Sequence, residues 1–185
     1  MSCFEARLLR LIGTTVTTYD DAASQDPTFS ERSPPGQFPR LSSHSSLPSM
    51  SATVMEGNSR SWVITEKLSR GAVYMTETDV KMGRGASITV GKFLCHLEGR
   101  PDLKAFMRIY HQIPIAGTED ADPDILAQQA VPPETYGELE SFKPLKDCPA
   151  VPLFLGHAER TQRDQELLPG GYVRYVVWQR SLGSL

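Results

Sequence analysis

Cysteine and histidine are the residue types through which this chain could bind a metal ion, and four of them stand out: Cys95, His96, Cys148 and His157. Neighbouring residues of a strand point to opposite faces, so Cys95 and His96 cannot share one ion, and no zinc-type ligand spacing occurs. The G-x-S-x-G motif that exposes a nucleophilic serine is also absent from the sequence. We therefore expect neither a metal site nor a serine-hydrolase site, and no catalytic residue is assigned.

Two segments carry a glycine pattern that could bring backbone N–H groups close to a phosphate: residues 69–72 (SRGA) and 83–86 (GRGA). Neither contains the G-x-G-x-x-G of protein kinases, and a flexible turn is the simpler interpretation of each. The sequence does not decide between them. Gly71 is kept as the candidate glycine of a nucleotide site.

Composition limits the classes of partner. Hydrophobic content of 39% and charged content of 22% are ordinary for a globular protein, and a net charge of -3 gives no reason to expect nucleic acid or an anionic membrane. The longest apolar runs are too short to span a bilayer. Three cysteines at wide spacing are typical of a reducing compartment, so we expect a cytoplasmic or nuclear protein.

The chain divides into two parts of different character. Residues 20–58 are rich in serine and proline and show no hydrophobic period, which predicts disorder for the N-terminal region 1–58. The first 18 residues could instead be a weak amphipathic targeting segment. The remainder, residues 59–185, is expected to fold.

Short apolar runs between turn signals predict strands at 61–68, 72–78, 91–97, 103–113, 151–157 and 172–178. Gly99 and Pro101 between the third and fourth of these favour a hairpin. Residues 134–145 (ETYGELESFKPL) have apolar residues at helical spacing and predict the one main helix. The fold class expected from this order is α+β, an antiparallel sheet of five to six strands with one main helix, preceded by a disordered tail.

Residues 62–185 resemble the N-terminal lobe of fungal kinase-like proteins of the aminoglycoside-phosphotransferase and protein-kinase superfamily. The segments that carry the resemblance are GKFLCHLEG, KAFMRIYHQIP, ELESFKPL, VPLFLGHAE and LLPGGYVRYVVW, in the order of the family. The resemblance implies a kinase-like small lobe over residues 59–185 that stops at the hinge, and ATP as the cofactor.

The resemblance also implies roles for individual residues. Arg108, in KAFMRIY, takes the place of the basic residue that contacts the nucleotide phosphates, where the phosphotransferase branch often has arginine. Its partner carboxylate would be Glu138, with Glu140 as the second choice. Trp178 and Gln179 would form the hinge that meets the adenine, although the family usually has an acidic residue at the position of Gln179.

The catalytic elements of the family are absent from this sequence, which contains neither H-x-D followed by asparagine nor D-F-G. Three hypotheses follow. The first, which we favour, is a non-catalytic or truncated kinase-like protein with weak residual nucleotide binding. The second is an N-terminal fragment of a complete phosphotransferase, and the third is a regulatory binding module. In each case the face that would meet a second lobe could bind another protein.

Overall fold

The structure is a computed structural model that describes residues 9–20, 59–132, 144–145, 148 and 150–180. Six strands and two short helices occur in these residues. In chain order they are β1 (Thr15–Tyr19), β2 (Ser59–Val73), α1 (Glu77–Lys81), β3 (Ile88–Leu97), β4 (Arg100–Gln112), α2 (Pro123–Ala127), β5 (Phe154–Thr161) and β6 (Tyr172–Gln179).

The six strands form a closed antiparallel barrel in the order β1-β2-β3-β4-β6-β5. The middle of the barrel is built from long ladders, in which β3 pairs with β4 from Ile88↔Gln112 to Leu97↔Arg100. This ladder confirms the hairpin predicted around Gly99, which has the positive φ of 75° that a tight turn requires. β6 then pairs with β4 on one side and with β5 on the other.

Alternation of buried and half-buried residues along β3 separates an interior face from an outer face. On β3, buried Thr89, Gly91, Phe93 and Cys95 alternate with half-buried residues. This period of two is the pattern that a pleated strand imposes when one face covers a core. The interior cluster contains Trp62, Ile64, Phe93, Cys95, Ala105, Met107, Ile109, Val173, Tyr175 and Val177.

The barrel closes where β1 meets β5, through the pairing of Tyr19 with His157. Gly156 makes this close approach possible, because a Cβ there would lie 2.8 Å from Thr18 Oγ1 and 2.9 Å from the carbonyl oxygen of Tyr19. Its φ of 137° is also one that side chains rarely adopt. Thr18 is fully buried at this point and accepts a hydrogen bond from the indole of Trp62.

The predicted fold class is wrong: the sheet is not an open small-lobe sheet beside a main helix but a closed barrel. The physical reason is β1, a five-residue strand that pairs with β2 and β5 and so removes both edges of the sheet. The sequence TVTTY has one strongly apolar aliphatic residue and gave no separate strand prediction. The predicted main helix at 134–145 lies almost entirely outside the described residues.

The predicted second strand at 72–78 is also wrong. Its first two residues end β2, and the chain then turns into α1. Thr76 and Asp79 form a capping box, in which each side chain accepts a hydrogen bond from the other residue's backbone N–H. This local signal for a helix start outweighs the apolar alternation of Ala72 to Met75.

Candidate functional site

The outer face of the barrel carries two cations side by side. Lys92 on β3 is the direct cross-strand partner of Arg108 on β4, and Arg108 is in turn the partner of Val176 on β6. All three residues alternate with interior residues and therefore point away from the core. The side chains of Lys92 and Arg108 are half-buried.

Each of these cations lies over an aromatic ring. The ammonium nitrogen of Lys92 is 4.1 Å from the centre of the Phe106 ring, and the guanidinium carbon of Arg108 is 5.1 Å from the centre of the Trp178 ring. Phe106 and Trp178 are themselves cross-strand partners. Attraction between a cation and the ring quadrupole holds both charges in place at a modest gain of about 0.5–2 kcal/mol each. We call Lys92, Phe106, Arg108 and Trp178 the cation–aromatic face.

An apolar layer supports this face. Phe106, Val176 and Trp178 form a buried cluster on the outer side of the sheet, and Leu94, Tyr110 and Phe154 pack against it. Tyr110 also accepts a hydrogen bond of 3.4 Å from the Arg108 guanidinium. Phe106 and Trp178 are 8% and 7% exposed, so their ring faces support the cations but offer little surface on which a further ring could stack.

The same outer face carries a third cation, Arg174, whose charge is already neutralised by a carboxylate. Arg174 on β6 donates a hydrogen bond of 2.5 Å to Glu159 on β5, its cross-strand partner. Lys92 differs, since within the described part of the chain it makes no ion pair. Lys92 therefore contributes a positive charge beside Arg108 that no carboxylate neutralises among the described residues.

The structure brings some of the predicted site residues together and separates others. Arg108 and Trp178 are in contact, and Gln179 follows at the exposed end of β6, where its backbone N–H donates to the carbonyl of Leu153 at 2.8 Å. Gly71 lies inside β2, paired with Val90, and is therefore part of a strand rather than of a loop. Glu138 lies outside the described residues.

Lys92 was missed by the sequence analysis. The predicted hairpin was not a sufficient signal, because continuing the Leu97↔Arg100 pairing of its turn along both strands would place Lys92 opposite Ala105. The β-bulge between His96 and Leu97 shifts this register by an amount that the sequence does not show.

A second polar group lies inside one end of the barrel. Arg160 donates two hydrogen bonds to Glu166, of 2.5 and 2.7 Å, and a third to the Tyr175 hydroxyl at 3.0 Å. His111 lies near them, 6% exposed. Burial first, and then the positive charge of Arg160, lower the pKa of His111 to about 4, while the charge of Glu166 acts in the opposite direction.

The cysteine in the core has no reactive character. Cys95 is fully buried and donates a weak hydrogen bond to the carbonyl of Ala105. Burial raises the pKa of its thiol to about 12, so the nucleophilic thiolate is scarcely populated near neutral pH. Among the described residues, no group of three histidine, cysteine or acidic side chains is placed to hold a metal ion.

Comparisons with known proteins add no relationship. No protein-family model matches the chain, and neither the curated proteins nor the solved structures contain a match to it. In the part of the chain that the structure describes, no helix has the length and apolar character needed to cross a membrane.

Proposed function

We propose that this chain is a non-catalytic binding module for a nucleotide, whose phosphates contact Lys92 and Arg108 on the cation–aromatic face. The observation that carries the proposal is the direct cross-strand pairing of these two cations, each over an aromatic ring. The kinase-like relationship is part of the same proposal and rests on the sequence segments alone.

Charge repulsion supports an anionic ligand at this position. Like charges placed directly opposite each other on neighbouring strands destabilise a sheet, by a few tenths of a kcal/mol up to about 1 kcal/mol. A phosphate group between Lys92 and Arg108 would accept a charge-assisted hydrogen bond from each of the two side chains. Half-burial strengthens such contacts, since the effective dielectric constant near a protein surface is lower than that of water.

The two cations suit different parts of a polyphosphate. Arginine presents a planar fork that matches two phosphate oxygens, whereas lysine acts as a compact point charge. Their direct cross-strand pairing, with Cα atoms roughly 5 Å apart, lets both side chains reach one phosphate chain. The supporting rings fix both side chains before the ligand arrives, which reduces the entropy lost on binding.

The proposal is tested by titrating ATP into the full chain, with and without Mg²⁺, and measuring the dissociation constant by calorimetry. We expect Lys92→Gln and Arg108→Ala each to weaken binding about tenfold or more, the value of one charge-assisted hydrogen bond. Arg108→Lys should recover part of the loss because it keeps the charge. Raising the ionic strength should weaken binding by the wild-type chain.

Lys104→Ala is the matched control. Lys104 is an exposed cation on the same strand and the same face, paired with His96 rather than with Lys92. If Lys104→Ala weakens ATP binding as much as Arg108→Ala, the ligand senses net charge and the assigned site is wrong. Phosphoryl transfer or ATP hydrolysis by the purified chain would contradict the non-catalytic part of the proposal.

A further inference from the structure

Three glutamines form a hydrogen-bonded network at the end of the barrel where β4 and β5 both stop. They are Gln112, the last residue of β4, Gln129, which follows α2, and Gln162, which follows β5. Gln112 and Gln162 are 2% and 3% exposed, and Gln129 is half-buried. Because buried amide groups require partners, the partners of these side chains show which parts of the chain the network holds together.

The first part is residues 117–131, which we call the strap. It begins at Gly117, whose φ of 86° turns the chain, and it contains α2. Leu126, 8% exposed, is its one buried residue. A segment with so little apolar burial has low local stability, so polar contacts must hold the strap in place.

Two of the glutamine side chains supply these contacts. Gln129 accepts a hydrogen bond from the backbone N–H of Ile115 at 2.9 Å and donates one to the Thr118 hydroxyl at 2.9 Å. Gln112 donates to the carbonyl of Gln129 at 2.8 Å and accepts from the backbone N–H of Val131 at 3.3 Å. Both ends of the strap are thereby tied to the end of β4.

The second part is residues 162–171, which we call the β5–β6 loop. The Gln162 side chain donates to the carbonyl of Gln112 at 2.8 Å, although β6 lies between β5 and β4 in the barrel. Its amide oxygen accepts from the backbone N–H of Leu168 at 3.1 Å, within the loop. Gln112 is therefore the residue at which the strap and the β5–β6 loop meet.

Two glycines allow these parts to approach each other. A Cβ at Gly171 would lie 3.1 Å from the Gln112 amide oxygen and 3.1 Å from the Gln162 amide nitrogen. A Cβ at Gly170 would lie 3.5 Å from the Cβ of Ala130 in the strap. A methyl group at Gly171 would consequently displace both amides without removing either.

We propose that the strap and the β5–β6 loop form one cap that opens and closes as a unit while the barrel stays folded, with Gln112 coupling the two parts. When the strap leaves, water reaches Gln112 and competes for the hydrogen bond from Gln162. The loop is then held less firmly, and the same argument applies in reverse. The cap does not depend on the proposed nucleotide site, and no nucleotide is needed to test it.

Native-state hydrogen exchange of the full chain, followed by NMR, measures the opening of the cap. The amides of Ile115, Val131 and Leu168 report on it, because each donates to a glutamine of the network. We expect all three to open more readily than the β3–β4 hairpin. Gly171→Ala should raise the opening constants of Ile115 and Val131 about tenfold, the value of roughly one hydrogen bond, and leave the hairpin unchanged.

A variant in the strap tests the coupling in the other direction. Gln129→Ala should raise the opening constant of the Leu168 amide in the β5–β6 loop, because an equilibrium coupling is reciprocal. Gln128→Ala is the matched control, since Gln128 is an exposed glutamine beside Gln129 at the end of α2. It should leave the Leu168 amide unchanged.

Three results would overturn the proposal. The first is strap amides that do not respond to Gly171→Ala; if that variant does not fold, an unchanged Leu168 amide in Gln129→Ala decides alone. The second is an equal effect of Gln128→Ala, which would assign the change to α2 itself. The third is one common exchange rate for the strap, the loop and the hairpin, which would show that they open only by global unfolding.

Discussion

At the scale of single residues, His111 makes the stability of the barrel depend on pH. Its pKa is lowered from 6.5 to about 4, chiefly by burial, with Arg160 and Glu166 as the charged groups around it. The unfolded chain therefore takes up a proton at a higher pH than the folded chain. Stability is complete above about pH 6.5 and is lost as the pH falls toward 4.

The expected slope is about 1.4 kcal/mol per pH unit between pH 6 and pH 4.5. Burial acts to raise the pKa of Glu166, but the hydrogen bonds from Arg160 and the Arg163 backbone together outweigh burial and lower this pKa. The contribution of the Glu166 carboxylate to stability is therefore lost only at more acidic pH. Urea unfolding of the wild-type chain and of His111→Leu across this window measures the difference, and an unchanged slope in the variant would disprove the assignment.

At Gly91 the core has no room for a side chain. A Cβ at Gly91 would lie 2.6 Å from the ring of Phe93, which is fully buried. Gly91→Ala should therefore lower the free energy of unfolding by about 1–3 kcal/mol, the usual cost of overpacking. Gly71→Ala on the neighbouring strand is the control, because a Cβ at Gly71 meets nothing within 4 Å. Equal effects in thermal or urea unfolding would rule out the steric explanation.

The sequence analysis named Arg108 and Trp178 for separate roles, a phosphate contact and a hinge, and predicted neither their contact nor the cation beside them. Both were recognised from the segments that resemble the kinase-like family, and the structure brings them to within 5.1 Å. The position of Lys92 opposite Arg108 depends on a β-bulge. The environment of His111 depends on burial by strands that are distant in sequence. Such properties arise from tertiary pairing, which local patterns do not encode.

At the scale of elements, the seam between β1 and β5 decides whether the sheet is a barrel. Gly156→Ala would place a methyl group against Thr18 and the Tyr19 carbonyl, at a backbone angle that disfavours side chains. We expect a loss of about 2–4 kcal/mol in the free energy of unfolding, since strain and overpacking both contribute.

Hydrogen exchange shows which strands are destabilised by Gly156→Ala. In Gly156→Ala the amides of β1 should exchange faster, while those of the β3–β4 hairpin should keep most of their protection. Uniform loss of protection across all six strands would show that β1 is not a separate closing element. Strands β3, β4 and β6 were predicted because each combines apolar runs with clear turns, whereas β1 is short and rich in threonine.

At the scale of the whole molecule, barrel closure creates two distinct surfaces from one sheet. The outer side of β3, β4 and β6 carries the cation–aromatic face, and the inner side encloses the apolar cluster that contains Phe93, Met107 and Val177. The expectation of an open α+β sheet failed because closure depends on the pairing of strands that are far apart in sequence. The protein partner expected at a lobe-facing surface stays a prediction.

The most direct test of the account is to map the ATP site on the folded chain. Backbone and indole ¹H–¹⁵N signals are followed while Mg²⁺-ATP is added. We predict saturable shifts that are largest at Lys92, Arg108 and the Trp178 indole N–H and small at Lys104. Shifts centred on Arg70 to Tyr74, or no saturable shift at millimolar ATP, would contradict the assignment of the cation–aromatic face as a nucleotide site.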